Sequence, residues 1–458
     1  MTWLSFSTKV LSLTIILPLI LTQFSTSEIT VWYLFSTFIG LQFIFDLGFS
    51  ASFSRVISYA FGGSDKVDHL EIDTLSKQSP RWTRINKLIG TMGKIYFLLA
   101  LVYIVILLTV GSYAMKYPIS QIKEPLRANI AWIIIVINSG ATFFGNVYKV
   151  YLQGVNKIAL LRRWEMIVSL GSIITSFVIL MNWSNLLILV IGNQLWIFMH
   201  IIINRYLARN IYNGKFSTIN LFRLDKKTLN DIWPSTWRSG IGILMSHGVL
   251  QISGIIYSNI GSAKDVASYL LALRLMQNIK SIAMAPFYSK LPLLAQLRAK
   301  GKFNKQLEIA KRGMNYSYWA FLIPFIIIGL YADHFLRFIN SNADFVGPLF
   351  WGTLGLGYFL ERYGAMHLHL YSTSGKIIWH IANGISGMIY IIVIFLLFNK
   401  LDIFVIPVAF LLSMLLFYSW YSASHSYRLF GVNFLNFEKS VVLAPGVIML
   451  VFLFYYII

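Results

Sequence analysis

The sequence predicts an all-α polytopic membrane protein, and three observations carry that prediction: too little charge for a water-facing surface, apolar segments of membrane-spanning length, and their recurrence along the chain. Of 458 residues, 57% are hydrophobic and 12% charged, where a soluble domain carries about 25% charged residues. The mean hydropathy is +0.68. Crossing a hydrocarbon core takes about 20 mostly apolar residues per helix. Inside lipid every backbone amide needs an internal partner, so only helices or closed barrels can span. The apolar runs are too long for the roughly 10-residue alternating strands of a barrel.

The predicted helices cover 9–25, 29–61, 90–115, 128–152, 164–181, 184–206, 236–259, 265–291, 314–332, 346–371, 377–398, 402–424 and 440–458. The first apolar stretch has the length of a signal-peptide core, but no small-x-small cleavage pattern follows it, so it reads as a membrane helix. The longest polar stretches are 62–89 and 207–232. The second, with Asn213-Gly214 and Lys226-Lys227, reads as a connector between two halves. The expected organisation is a six-helix bundle over 1–212, a cytoplasmic connector over 213–232, a second six-helix bundle over 233–430 and an additional helix within 431–458. Prolines 18, 286, 292, 324 and 407 fall within or at the ends of apolar spans, where they kink or end helices. Trp132, Trp183, Trp233, Trp237 and Trp319 lie near predicted helix ends, where interfacial belts sit.

The net charge is +21, from 38 Lys and Arg against 17 Asp and Glu. With the N-terminus in the cytoplasm, about 28 of the basic residues fall on the inner side, which is the positive-inside bias. Lys116, Lys123, Arg127, Lys264, Arg337 and Lys400 fall outside, and Arg55, Arg274, Lys280 and Arg362 are embedded. The basic residues are scattered over short loops, which argues against a nucleic-acid partner and for attraction to membrane lipids. There is no cysteine, so disulfides, thiolate catalysis and Cys-based metal sites are excluded. No GxxxxGK[ST], HExxH or Gly-x-Ser-x-Gly pattern is present, and no enzymatic role, cofactor or metal is expected.

The chain also echoes itself. Tyr151-Leu152-Gln153-Gly154-Val155-Asn156-Lys157-Ile158 closes the fourth predicted helix, and Tyr371-Ser372-Thr373-Ser374-Gly375-Lys376-Ile377 closes the tenth. Phe53-Ser54-Arg55 in the second is echoed by Tyr288-Ser289-Lys290 in the eighth. Six being even, both halves begin on the same side, so the expected architecture is two parallel six-helix bundles, twelve transmembrane helices plus a thirteenth.

Embedded cations are the chemically informative residues. Each costs about 2.5–3.5 kcal/mol at a helix centre on insertion scales, so they should face a hydrated interior or pair with carboxylates. Snorkelling from a helix end is the alternative, most relevant to Arg274. Only Asp46 and Glu361 are embedded carboxylates, so cations are in excess. A surplus of interior positive charge suits an anionic ligand such as phosphate or diphosphate. On a continuous helix Asp46 and Arg55 lie about 180° apart, and Arg55 shares its face with Gly48, Ser52, Tyr59 and Gly62. Asp46 is either a structural partner for a cation or a proton or Na⁺ coupling site, as is Glu361. In the tenth helix Gly355, Arg362 and His369 share a face by sevenfold spacing, with His367 and His380 nearby. A substrate-contacting or pH-sensing histidine and plain packing are both open there.

The segment from Phe45-Asp46-Leu47-Gly48 through Ser54-Arg55 to Phe61-Gly62-Gly63 resembles the end of the second helix in polysaccharide-export flippases of the Wzx type. These belong to the multidrug/oligosaccharidyl-lipid/polysaccharide exporter superfamily. Gln153-Gly154 with Lys157, and Tyr269-Leu270-Leu271-Ala272-Leu273-Arg274-Leu275, are similar to that family too. The resemblance spans about residues 5 to 430. It implies two six-helix bundles around a basic central cavity. It also implies alternating access that carries undecaprenyl-diphosphate-linked oligosaccharide, an O-antigen or capsule repeat unit, across the bacterial inner membrane. Arg55 is the matched position for head-group contact, with Arg274 and Lys280 following by their place on the duplicated helix. The resemblance leaves room for other polysaccharide assembly proteins as partners. A cation-coupled multidrug exporter of the same fold is the rival reading, against which the cation surplus counts.

Overall fold

The computed structural model describes residues 11–62, 80–374, 376 and 378–457. Gly63, Gly375 and Ile377 of the sequence motifs, the first residues of the predicted 9–25 helix, the last residue of the chain and most of the 62–89 loop lie outside them. Among the described residues all regular structure is helical. The helices are α1 Leu17–Gln23, α2 Thr26–Phe45, α3 Phe49–Phe61, α4 Trp82–Ser120, α5 Pro125–Gly154, α6 Ile158–Asn182 and α7 Leu186–Asn210, followed by α8 Lys226–Ile243, α9 Val249–Tyr257, α10 Ala263–Tyr288, α11 Leu291–Ala299 and α12 Phe303–Phe338. The last are α13 Pro348–Ser372, α14 Trp379–Leu401, α15 Val405–Ser413, α16 Ser419–Phe430, α17 Phe434–Glu438 and α18 Leu443–Ile457. Among the described residues, seven helical runs are individually long and apolar enough to cross a membrane, or eight when a bent pair is joined as one span. Outward-facing side chains such as Phe395, Ile137 and Leu195 are exposed and apolar, as lipid contact requires. The chain is a multi-pass helical membrane protein.

Contacts divide the chain into two units, Met1–Ile243 with Gly254–Ala263, and Leu244–Ser253 with Lys264–Ile458. In the first unit α5 is the centre, packing on α3, α4 and α7. Its buried Asn138 donates to the Gln194 side chain at 2.6 Å and to the Gln194 carbonyl at 3.0 Å, so a polar pair sits satisfied inside an apolar bundle. A capping box starts α2. Glu28 accepts from the Ser25 amide at 2.9 Å while the Ser25 hydroxyl accepts from the Glu28 amide at 3.4 Å.

The predicted continuous helix 29–61 is broken. Leu47 has φ +49° and Gly48 φ +77°, so α2 ends and α3 starts in a new direction. A Cβ on Gly48 would stand 2.5 Å from the Ser239 Cβ as well as straining the backbone. The helical phase that relates Asp46 and Gly48 to Arg55 on one cylinder therefore does not apply; Arg55 belongs to α3 alone. The predicted 236–259 span is likewise bent, by 45° between Thr236–Ser246 and Gln251–Tyr257.

The polar stretch after α7 is a strap packed on the first unit. Gly93 of α4 lies so close to it that a Cβ would be 2.2 Å from the Leu221 carbonyl oxygen. The Asp225 amide donates to the Thr91 hydroxyl at 2.9 Å, and Phe222 packs on Phe97 and Phe144. Asp225 then caps α8, accepting from the Thr228 hydroxyl at 2.6 Å; that bond holds its carboxyl below the ordinary aspartate value.

In the second unit α13 is central, packing on α12, α15, α16 and α18. Asp402, at φ +47°, turns the chain between α14 and α15. Gly355 does not share the role of Arg362; it seats Phe325, whose ring a Cβ there would meet at 2.0 Å. The terminal α18 lies on α12 and α13, with Phe452 against Phe325.

Candidate functional site

The sequence-predicted residues fall into separate environments. In the first unit, Asp46 is buried at the end of α2. Its Oδ1 accepts from the Tyr96 hydroxyl at 2.6 Å and the Ser50 hydroxyl at 2.7 Å, and its Oδ2 from the Ser50 amide at 3.0 Å. Both carboxylate oxygens are thus engaged in fixing the α2–α3 break. Arg55, two turns further along α3, is half-buried, and its Nε has no hydrogen-bond partner among the described residues.

In the second unit, Arg274 is exposed on α10. Lys280 and Glu361 form an ion pair, Nζ to Oε1 3.2 Å, between α10 and α13. The Lys280 ammonium also stands 5.6 Å from the Tyr358 ring centre. Beside the pair is a cavity of about 20 Å³, lined by Ser246, Asn383, Ser386, Ser413 and Tyr418 among others. Two of its walls are five-residue π-helical turns, Leu244–Gly248 and Met414–Tyr418. Such turns are frequent at functional sites, and two more, Ser12–Ile16 and Leu107–Gly111, lie in the first unit.

Arg362 follows Glu361 in sequence but points elsewhere, because successive residues on a helix are about 100° apart. It is 1% exposed. Its Nη2 donates to the Tyr288 hydroxyl at 2.9 Å, and its guanidinium lies 5.2 Å from that ring's centre. Nε and Nη1 have no hydrogen-bond partner among the described residues. His369 also reaches Tyr288, ring centres 4.4 Å apart, and meets Trp379 at 4.7 Å. The sevenfold spacing of Arg362 and His369 therefore does bring both to one aromatic cluster. Tyr288, which joins them, was not among the expected site residues, although it opens the Tyr288-Ser289-Lys290 echo.

A second buried polar cluster is one the sequence does not announce. Glu438 of α17 accepts from the Tyr427 hydroxyl at 2.6 Å and lies 3.0 Å from His367 Nε2. Tyr363 and Tyr427 hydroxyls meet at 2.6 Å. His367 and His369 thus serve different neighbours, as two-residue spacing on a helix dictates.

The apolar spans and the exposed apolar side chains define a polytopic helical membrane protein. No family model matches the chain, and no curated protein matches it in sequence. Its fold matches the lipid II flippase MurJ in an inward closed conformation, with TM-score 0.66, 12% identity, and 98% of this chain and 91% of that one covered. It also matches an inward-facing multidrug resistance MATE family transporter of the MOP superfamily, with TM-score 0.64, 12% identity and coverage of 91% and 94%. A ligand complex of the MATE multidrug transporter DinF-BH matches at TM-score 0.60 and 13% identity, with 94% of each chain covered.

Proposed function

We propose that the chain is a flippase moving undecaprenyl-diphosphate-linked oligosaccharide, an O-antigen or capsule repeat unit, across the bacterial cytoplasmic membrane by alternating access, with its N-terminus in the cytoplasm. The observation that carries this reading is Arg362. It is a buried guanidinium with one neutral hydrogen-bond partner, two free donor nitrogens and no ion pair among the described residues. A planar donor fork with no carboxylate in ion-pair contact among the described residues is suited to a phosphate-bearing headgroup. Arg55 offers a second free donor from the first unit; Lys280, Arg274 and His369 complete the proposed headgroup contacts, and Asp46 and Glu361 the proposed coupling carboxylates. The chemistry is binding and release, with no covalent step.

The reading that competes is a cation-coupled multidrug exporter. The aromatic cluster of Tyr288, His369 and Trp379 favours it, since aromatic faces receive flat organic cations. The two readings separate in proteoliposomes. Fluorescent polyprenyl-diphosphate-linked sugar, reconstituted in both leaflets, should become accessible to an outside quencher faster with the protein than without it. Arg362→Ala and Arg55→Ala should each weaken headgroup binding by about tenfold to a hundredfold, the range for losing a charged hydrogen bond. Arg362→Lys should recover only part, because it keeps the charge and loses the fork. Flipping at the empty-vesicle rate, with uptake of a cationic dye instead, would replace this proposal with the exporter.

A further inference from the structure

Among the described residues, Lys280–Glu361 is more buried than the other ion pairs that Lys and Arg make with carboxylates. Those at Arg127–Glu124, Lys264–Asp344 and Arg312–Glu308 have both partners largely exposed. Lys280 and Glu361 are 16% and 12% exposed, within the membrane bundle, beside a small cavity of mixed lining bounded by two π-helical turns. The charged and titratable groups near Glu361 are Lys280 and Tyr288 from α10, Tyr358, Arg362 and His369 from α13 and Tyr418 from the second π turn, with Tyr390 of α14 lining the same cavity; of these cations only Lys280 is in ion-pair contact with it. None of these is a second carboxylate, so among the described residues Glu361 is the acid of this neighbourhood and Lys280 its ion partner.

From this arrangement we infer that Lys280 and Glu361 form an exchange pair, in which an anionic headgroup takes the ammonium and a proton takes the carboxylate. The inference rests on the flippase reading for the identity of the anion. Its logic is local neutrality. Breaking a buried pair by removing one partner costs about 3–5 kcal/mol when the remaining charge is left uncompensated. If a phosphate oxygen draws Lys280 away, Glu361 is neutralised most cheaply by binding a proton from water. Before the exchange Lys280⁺ faces Glu361⁻; afterwards Lys280⁺ faces phosphate and Glu361 is a neutral acid. One O–H bond forms on Glu361, the proton comes from solvent, and the local charge sum is unchanged. The cavity lies directly beside the pair. At about 20 Å³ it has room for a water molecule and none for a headgroup. The Ser386 hydroxyl donates to the Ala382 carbonyl at 2.7 Å and the Ser413 hydroxyl to the Phe410 carbonyl at 2.8 Å. Both hydroxyl hydrogens are thus committed to backbone carbonyls, so towards a water each hydroxyl can act only as an acceptor.

The test is proton uptake on ligand binding. The full-length protein in lipid nanodiscs is titrated with farnesyl diphosphate in weakly buffered solution at pH 8, and the pH change is read alongside binding. Wild type should take up about one proton per ligand bound, and its affinity should fall about tenfold per unit rise in pH. Glu361→Gln should bind with no uptake beyond the ligand's own and with affinity independent of pH, since its amide is already neutral. His369→Gln should keep the uptake per bound ligand, which places the proton on the carboxylate and not the imidazole. Wild type binding without uptake, uptake surviving in Glu361→Gln, or uptake lost in His369→Gln each overturns the exchange pair while leaving the flippase reading intact. Wild type that binds no diphosphate overturns that reading, and the inference with it.

Discussion

Replacing Asp46 separates its two possible roles, structural pin or ion-coupling group. Its carboxylate accepts three hydrogen bonds: from the Ser50 amide, the Ser50 hydroxyl and the Tyr96 hydroxyl. In Asp46→Ala the two hydroxyls can still pair with each other, being 2.7 Å apart. One hydroxyl hydrogen and the Ser50 amide are then left as buried donors without an acceptor. At about 1–3 kcal/mol each, the loss is about 2–6 kcal/mol. Asp46→Asn keeps one acceptor oxygen and turns an NH₂ towards the Ser50 amide, so it orphans one donor and should cost about half as much. The assay is unfolding by increasing SDS in mixed micelles, with Tyr96→Phe and the double mutant completing a cycle; the two single changes should be strongly non-additive. Alanine with wild-type stability would refute the pin. If Asp46→Asn instead abolishes transport at unchanged stability, Asp46 is a coupling carboxylate.

Three further changes test other parts of the structure. Gly93→Val places side-chain carbon against the Leu221 backbone and should cost about 1–3 kcal/mol by overpacking. Because the chain has no native cysteine, a Thr91→Cys, Asp225→Cys crosslink reports the strap directly; it should form readily and fail to form once Gly93→Val is added. Glu438→Ala strips His367 and Tyr427 of their acceptor, which should speed hydrogen exchange in α17 and α18 and leave α5 unaffected; uniform exchange across both would disprove a local anchor. Arg362→Met replaces a buried charge with an apolar chain of similar length, so it should unfold at higher SDS than wild type while losing diphosphate binding. A less stable Arg362→Met would mean that the guanidinium is a structural group.

The spans were legible because a run of about 20 apolar residues has few other uses. Their interruptions were less so. The α2–α3 break carries no proline, and its signal is Asp46 followed by Gly48, a cap beside a left-handed position, inside an otherwise apolar run. The bend in the seventh span passes through Leu244–Gly248, a stretch with no breaker except Gly248 at its end. At the site, Arg362 and His369 were readable from their spacing because both stand on one helix. Lys280 with Glu361, Arg362 with Tyr288 and His367 with Glu438 were not, since each joins two elements and depends on how they are rotated about their axes. A tyrosine such as Tyr288, moreover, reads equally as packing or as a polar partner. The pairing corrects the charge count, because Lys280 is already neutralised and the surplus in the second unit is smaller than its three embedded cations suggest.

What remains of that surplus is informative for the same reason. Glu361 adjoins Arg362 in the chain, yet its Oε1 goes to Lys280 on another helix. Helical geometry turns the two neighbours about 100° apart, so the carboxylate next to Arg362 in sequence is not its ion partner in space. Glu438 is engaged with His367 and Tyr427. Among the described residues the guanidinium is left with a tyrosine hydroxyl and a ring face. A buried arginine costs about 2.5–3.5 kcal/mol to insert, and a neutral hydrogen bond of about 1 kcal/mol recovers only part of that. Local rules broken without local compensation are expected where function is served. Arg362 is such a place, and a ligand carrying negative charge is what would supply the missing stabilisation.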